Sequence, residues 1–200
     1  MSDMHLLLHG LAIKKHAGPD AVAGLIGLSA EETASLLLAA SAHGRVVVAG
    51  GKFMLSPLAH VALEGDYSRR YAALRENADF WAAYEQFERI NVQLKALITD
   101  WQTTPVGGER VVNDHADRDY DAKIIDRLGD LHDRAEVILK RLASALPRLE
   151  YYRRQLLSAL EKAEDGDVAW VSDVKIESYH TLWFELHEDL LRIVGRTRAE

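Results

Sequence analysis

The residues able to do chemistry gather in a few short stretches. The most distinctive runs Glu177-Ser178-Tyr179-His180-Thr181-Leu182-Trp183-Phe184-Glu185-Leu186-His187-Glu188-Asp189-Leu190-Leu191. At about 100° per residue, a helix here puts His180 and His187 on one face with Trp183, Phe184, Leu190, Leu191 and Val194. Glu185, Glu188, Asp189 and Arg192 fall on the opposite face and are expected in solvent. A buried imidazole needs a partner. It also titrates near neutrality, with burial favouring the neutral form. His180 and His187 are therefore candidate catalytic acid–base groups, with two satisfied core histidines as the competing reading. Seven residues separate them by about 10.5 Å along a helix axis, too far to grip one ion whose ligands sit about 2 Å away. Glu177 and His180 have the spacing of a diiron half-site, but the second half-site is missing.

A second concentration is Asn113-Asp114-His115-Ala116-Asp117, just ahead of an expected helix. Asp114 and His115 are candidate catalytic groups, and Asn113 and Asp117 candidate substrate contacts. The competing reading is an N-cap cluster, since Asp and Asn satisfy free N–H groups there. Asn91 stands on an apolar stripe and, with Gln102, is suited to orienting a ligand oxygen. The rings of Trp101, Tyr179 and Trp183 could wall a flat substrate. No metal site is assigned and no cofactor is expected. A single divalent ion held by His180 or His187 with Asp114, His115 or Asp117 is the one metal arrangement left open. The chain shows no phosphate loop, nucleotide fingerprint, serine-nucleophile motif or zinc-protease motif.

These groups must be positioned by helices. Stripes of Phe80, Tyr84, Phe87, Asn91, Leu94, Ile98 and Trp101, then Ile124, Leu128, Leu131, Ala135, Ile138 and Leu142, then Tyr152, Leu156, Leu160 and Ala163, predict three helices before the last one. The first of these is expected to run from Asp66 to Trp101 with a bend near Asn77. Four amphipathic helices predict an antiparallel bundle over 66–200, interrupted by a loop over 102–118. Upstream, residues 1–65 read as three helices and a hairpin. Ser29 and Glu32 form a capping-box signature, and Gly50-Gly51 separates two β-prone runs. The order helix, helix, helix, wing predicts a winged helix, and Ala21 to Ser29 with Glu31-Glu32 resembles the helix-turn-helix part of winged-helix regulators. The fold class expected is mainly α: a winged helix with a small β-hairpin, then the bundle.

Composition narrows the function. With no cysteine there are no disulfides, thiolate ligands or Cys nucleophile. The net charge is -7, which disfavours a nonspecific nucleic-acid surface. Over residues 1–64 four bases stand against five acids, and the expected reading helix opens Glu31-Glu32. Phosphate contact supplies most DNA affinity, so DNA is the less expected partner and a homodimer the more expected use of this domain. No apolar run approaches the roughly 20 residues of a membrane span, so no membrane partner and a cytoplasmic location are expected.

Three segments taken together carry a resemblance: Thr99-Asp100-Trp101-Gln102, Asn113-Asp114-His115-Ala116-Asp117 with Tyr120-Asp121, and Ser178 to Asp189. They resemble a group of bacterial proteins, many actinobacterial, with an N-terminal winged helix and a helical C-terminal half. Similar segments occur at the end of chains related to phosphoenolpyruvate synthase and pyruvate phosphate dikinase. The kinase and phosphohistidine machinery of the dikinases is not recognisable, so their activity is not implied. The resemblance adds Asp100 to the candidate substrate contacts. The expected function is binding of a small organic molecule in the helical half. The expected chemistry is acid–base catalysis by buried histidine: a lyase, hydrolase or isomerase acting on a hydroxylated or aromatic compound. The alternative is a ligand-responsive winged-helix transcriptional regulator.

Overall fold

A computed structural model describes residues 3–197 of the chain. Among these the fold is mostly helical, with two small antiparallel hairpins. The chain divides into two compact units, Met1–Asn77 with Glu185–Glu200, and Ala78–Phe184.

The first unit starts with α1 (Asp3–Lys14), α2 (Pro19–Ile26) and α3 (Ala30–Ala42). Pro19 at the start of α2 suits a position whose N–H is unused. Gly27 ends α2 at φ 74°, a left-handed conformation in which glycine has no Cβ penalty. Ser29 then caps α3 as expected: its hydroxyl accepts the Glu32 N–H, and the Glu32 carboxylate accepts the Ser29 N–H. The bend between α2 and α3 is 109°. The hairpin pairs β1 (Val46–Ala49) with β2 (Lys52–Leu55) across Gly50-Gly51, both at positive φ. These elements close over a core that includes Leu7, Leu11, Val22, Leu37, Val46 and Phe53. Next come α4 (Pro57–Arg70) and the short α5 (Ala72–Arg75).

In the second unit, α6 (Ala78–Gln102) packs along α7 (Arg118–Ala145), and α7 along α8 (Glu150–Glu164). A 3₁₀ turn at Pro147–Leu149 precedes α8, and the short α9 (Ala169–Ser172) follows it. Every residue of the three expected stripes is buried. The helix expected over 66–101 is instead three pieces: its start belongs to α4, which runs unbroken through Gly65, and the chain breaks at Tyr71 as well as at Glu76-Asn77, near the expected bend. The segment expected as a loop, 102–118, contains a second hairpin, β3 (Thr103–Val106) with β4 (Glu109–Val112), turning at Gly107-Gly108.

The last helix, α10 (Tyr179–Val194), spans the point where the unit assignment changes, at Phe184/Glu185. Its expected wet and dry faces need correcting. Asp189 is fully buried, and Phe184, expected inward, is 41% exposed. Among the described residues no single helix is long and apolar enough to cross a membrane.

Candidate functional site

In the second unit, Asn113 organises the strongest site. Its N–H donates to the Gln102 carbonyl at 2.9 Å, so the chain leaves the β3–β4 hairpin where it entered. The Asn113 side chain is buried. Its Nδ2 lies 2.9 Å from Asp121 Oδ1, 3.0 Å from the Trp101 carbonyl and 3.2 Å from His115 Nδ1. An amide NH2 has two hydrogens, and the two shorter contacts take them. His115 Nδ1 is then the donor to Asp121 Oδ2, 2.9 Å away. That tautomer leaves Nε2 as the basic lone pair, which is the arrangement of a carboxylate-oriented general base.

The backbone is arranged to the same end. Asn113 Oδ1 accepts the His115 N–H at 3.0 Å, closing a turn in which His115 sits at φ 59°. Positive φ is uncommon outside glycine, and such strain persists where surrounding bonds enforce it. The imidazole tilts over Trp101 with ring centroids 4.6 Å apart. Beside it is a cleft of about 380 Å³, whose lining includes His115, Arg118, Asp121, Ile125, Glu164 and Val168. That volume is within the range of small-molecule sites.

The other expected site residues are placed as follows. Trp101, Asn113 and His115 come together. Asp114 is exposed, and its Oδ1 accepts the Ala116 N–H. Asp117 is the N-cap of α7, accepting the Tyr120 N–H at 3.0 Å. Asp100 binds Arg110 at 2.5 Å and Arg127 at 2.8 Å, and the Arg110 bond above all holds its carboxyl below the usual range. Gln102 is exposed and contributes its backbone carbonyl. Asn91 Oδ1 accepts the Trp183 indole N–H at 3.1 Å, both groups being buried. Tyr179 is within 3.1 Å of His132 Nδ1. Burial pushes the Tyr179 hydroxyl up and the His132 imidazole down, so a neutral Tyr179 donates to a neutral His132. His180 is half-buried and is not part of the cleft lining, while His187 is buried in the stretch assigned to the first unit. Among the described residues, no group of three or more His, Cys, Asp or Glu is placed to hold a metal ion.

No protein-family model, curated protein or solved structure matches the chain.

Two features were missed in the sequence. Asp121 stands in the sequence only within a segment that carries the resemblance, yet it is the carboxylate that holds His115. In the first unit, His9 is fully buried between Tyr67 and Asp189. Its Nδ1 is 3.0 Å from the Tyr67 hydroxyl, and its Nε2 is 3.0 Å from Asp189 Oδ1. His5, one turn earlier on α1, lies 3.1 Å from Asp66. The signal was available: two histidines at i and i+4 among the leucines of the first helix.

Proposed function

We propose that the second unit binds a small organic molecule in the cleft beside His115 and acts on it by general acid–base catalysis. The observation that supports this most directly is the His115–Asp121 pair at 2.9 Å, its carboxylate buried and fixed by Asn113, its imidazole bordering the cleft. In this reading His115 Nε2 takes a proton from a substrate carbon or hydroxyl. Asp121 steadies the imidazolium that results, and Trp101 fixes the ring plane from behind. Such proton transfer contributes typically about 10²–10⁴-fold to rate. The apolar side chains of Ile125 and Val168 suit a carbon skeleton, and Arg118 suits a polar substituent. A lyase, hydrolase or isomerase of hydroxylated or aromatic compounds remains the class proposed.

The test is ligand-observed NMR with catechols and hydroxybenzoates as probes, followed by turnover assays on any that bind. Binding lost in His115→Gln and turnover lost in Asp121→Asn is the expected result. Ligands that bind equally well to both variants, without turnover, reject the reading.

A second reading is a ligand-responsive regulator with a winged helix in residues 1–65. What supports it is the 109° bend between α2 and α3, within the range of helix-turn-helix pairs, followed directly by the β1–β2 hairpin. The exposed Glu31 and Glu32 at the start of α3 weigh against phosphate contact. Electrophoretic shift on the upstream region of its own operon at low salt decides it: no shift, with or without ligand, rejects this reading.

A further inference from the structure

The first unit carries a polar chain that the cleft beside His115 does not use. Asp189, His9 and Tyr67 are 0, 0 and 2% exposed. His9 Nε2 lies 3.0 Å from Asp189 Oδ1, and the Tyr67 hydroxyl lies 3.0 Å from His9 Nδ1. Burial pushes the Tyr67 hydroxyl up, so it stays protonated and can donate across that contact. The Tyr67 ring and the Arg192 guanidinium line the same cavity. A run of three buried polar side chains needs a reason, because well-packed apolar residues are often as stable or more so. What the run does here is set the protonated Tyr67 hydroxyl beside one guanidinium.

That guanidinium lines a cavity of about 560 Å³. The cavity presents three guanidinium groups, Arg75, Arg192 and Arg196, against two carboxylates, Glu64 and Glu188. Among the described lining residues positive groups outnumber negative ones, on a chain of net charge -7. Both carboxylates reach Arg192, Glu64 at Nη1 and Glu188 at Nη2, the latter at 2.8 Å. Arg192 Nε is left buried without an acceptor among the described residues. An unmet buried donor costs about 1–3 kcal/mol, which an oxygen bound to it would recover. Arg75 is fixed by donating from Nε to the Ile193 carbonyl at 2.7 Å, and its Nη1 meets the Ser68 hydroxyl at 3.2 Å.

We propose that this cavity is a second site, binding a small oxyanion through Arg192 with Arg75 and Arg196 beside it. Asp189, His9 and Tyr67 are positioning residues for Arg192. The anion is of carboxylate or phosphate type; planar, forked donors suit both.

The full-length protein is titrated with succinate and with inorganic phosphate, each against chloride at matched ionic strength, reading the arginine Nε–H resonances by NMR. A saturable shift of the Arg192 resonance is expected for at least one of them. Saturation by succinate alone assigns a carboxylate ligand, and saturation by phosphate assigns a phosphate-type one. Tyr67→Phe and Arg196→Gln are each expected to weaken binding about tenfold, the scale of one charge-assisted hydrogen bond. Should Tyr67→Phe not fold, the exposed Arg196 carries the test. His115→Gln is expected to bind the anion unchanged, which separates this site from the cleft in the second unit. Shifts matched by chloride, absence of saturation with both anions, or wild-type affinity in every folded variant overturn the proposal.

Discussion

Asn91 offers a direct measurement of whether a polar group on an apolar stripe serves the fold or a ligand. Its Oδ1 accepts the Trp183 indole N–H at 3.1 Å, and the Trp183 ring stacks on Phe87 with centroids 4.7 Å apart. Asn91 is 6% exposed and Trp183 2%, so neither partner has water to fall back on. Replacing Asn91 by Leu strands the indole N–H, at a cost of about 1–3 kcal/mol. For a chain of this size 2 kcal/mol is roughly 4–8 °C in Tm. Replacing Trp183 by Phe strands the amide oxygen and also removes ring area. In the double variant both ends are apolar, and the penalty for an unmet group disappears. The double-mutant cycle should therefore return a coupling of about 1–2 kcal/mol, with the double variant more stable than the single losses added together. The assay is urea unfolding followed by far-UV circular dichroism at constant pH. Additive losses would refute the reasoning, since they would mean that the amide and the indole contribute independently and that Asn91 is buried for another purpose.

Three further predictions concern the first unit. Gly10→Ala should destabilise by about 1–3 kcal/mol through overpacking, outweighing a helix-propensity gain of about 1 kcal/mol; the added Cβ would lie 2.8 Å from Ile26 Cγ2 and 3.0 Å from Val22 Cγ1, and an increase in Tm would contradict this. Thr33→Val should stabilise by about 1 kcal/mol, because the Thr33 hydroxyl is fully buried and meets no partner among the described residues; a loss of stability on urea unfolding would mean that it has one. Hydrogen bonds from Arg69 and then Arg70 lower the Asp66 carboxyl from 3.8 to about 2. A depressed carboxyl stabilises the folded state above its unfolded value and loses that contribution as pH falls through the folded one. The urea midpoint should consequently drop between pH 3.8 and about 2, less steeply in Asp66→Asn, and equal slopes would count against the assignment.

The stripes of α6, α7 and α8 were legible because each helix buries one face, and a 3.6-residue period records that directly. Asn91 was legible for the same reason, as a polar residue in an apolar register. The period misled at α10. There Tyr179, Leu182, Trp183, Leu186, His187, Asp189, Leu190 and Ile193 are all buried, so the helix is covered around most of its circumference. A rule that assigns one wet face then places Asp189 in solvent. The His115 site was half legible. The residue types at Asn113 and His115 stood out, but their link to Asp121 depends on a left-handed turn at His115 that no periodicity encodes. The β3–β4 hairpin was hidden because its strands are mostly exposed, leaving no alternation of apolar and polar residues to find. Its Gly107-Gly108 tip repeats the signal that did reveal β1–β2 at Gly50-Gly51.

That second hairpin has little core of its own. Val106, Val111 and Val112 are 57, 41 and 83% exposed. It is tied at its base, where Tyr120 Oη meets the Asp100 and Thr103 carbonyls at 3.0 Å, Arg110 reaches Thr103, and the Asn113 N–H reaches Gln102. The tip therefore carries almost none of the free energy that holds α6 to α7, and covalent continuity there is dispensable. Exposed tips of this kind tolerate insertions and nicks. A chain opened between Gly107 and Gly108 would yield two fragments that still recognise each other along α6 and α7. The same position would accept a reporter peptide, placing a label near His115 without touching any residue that shapes its cleft.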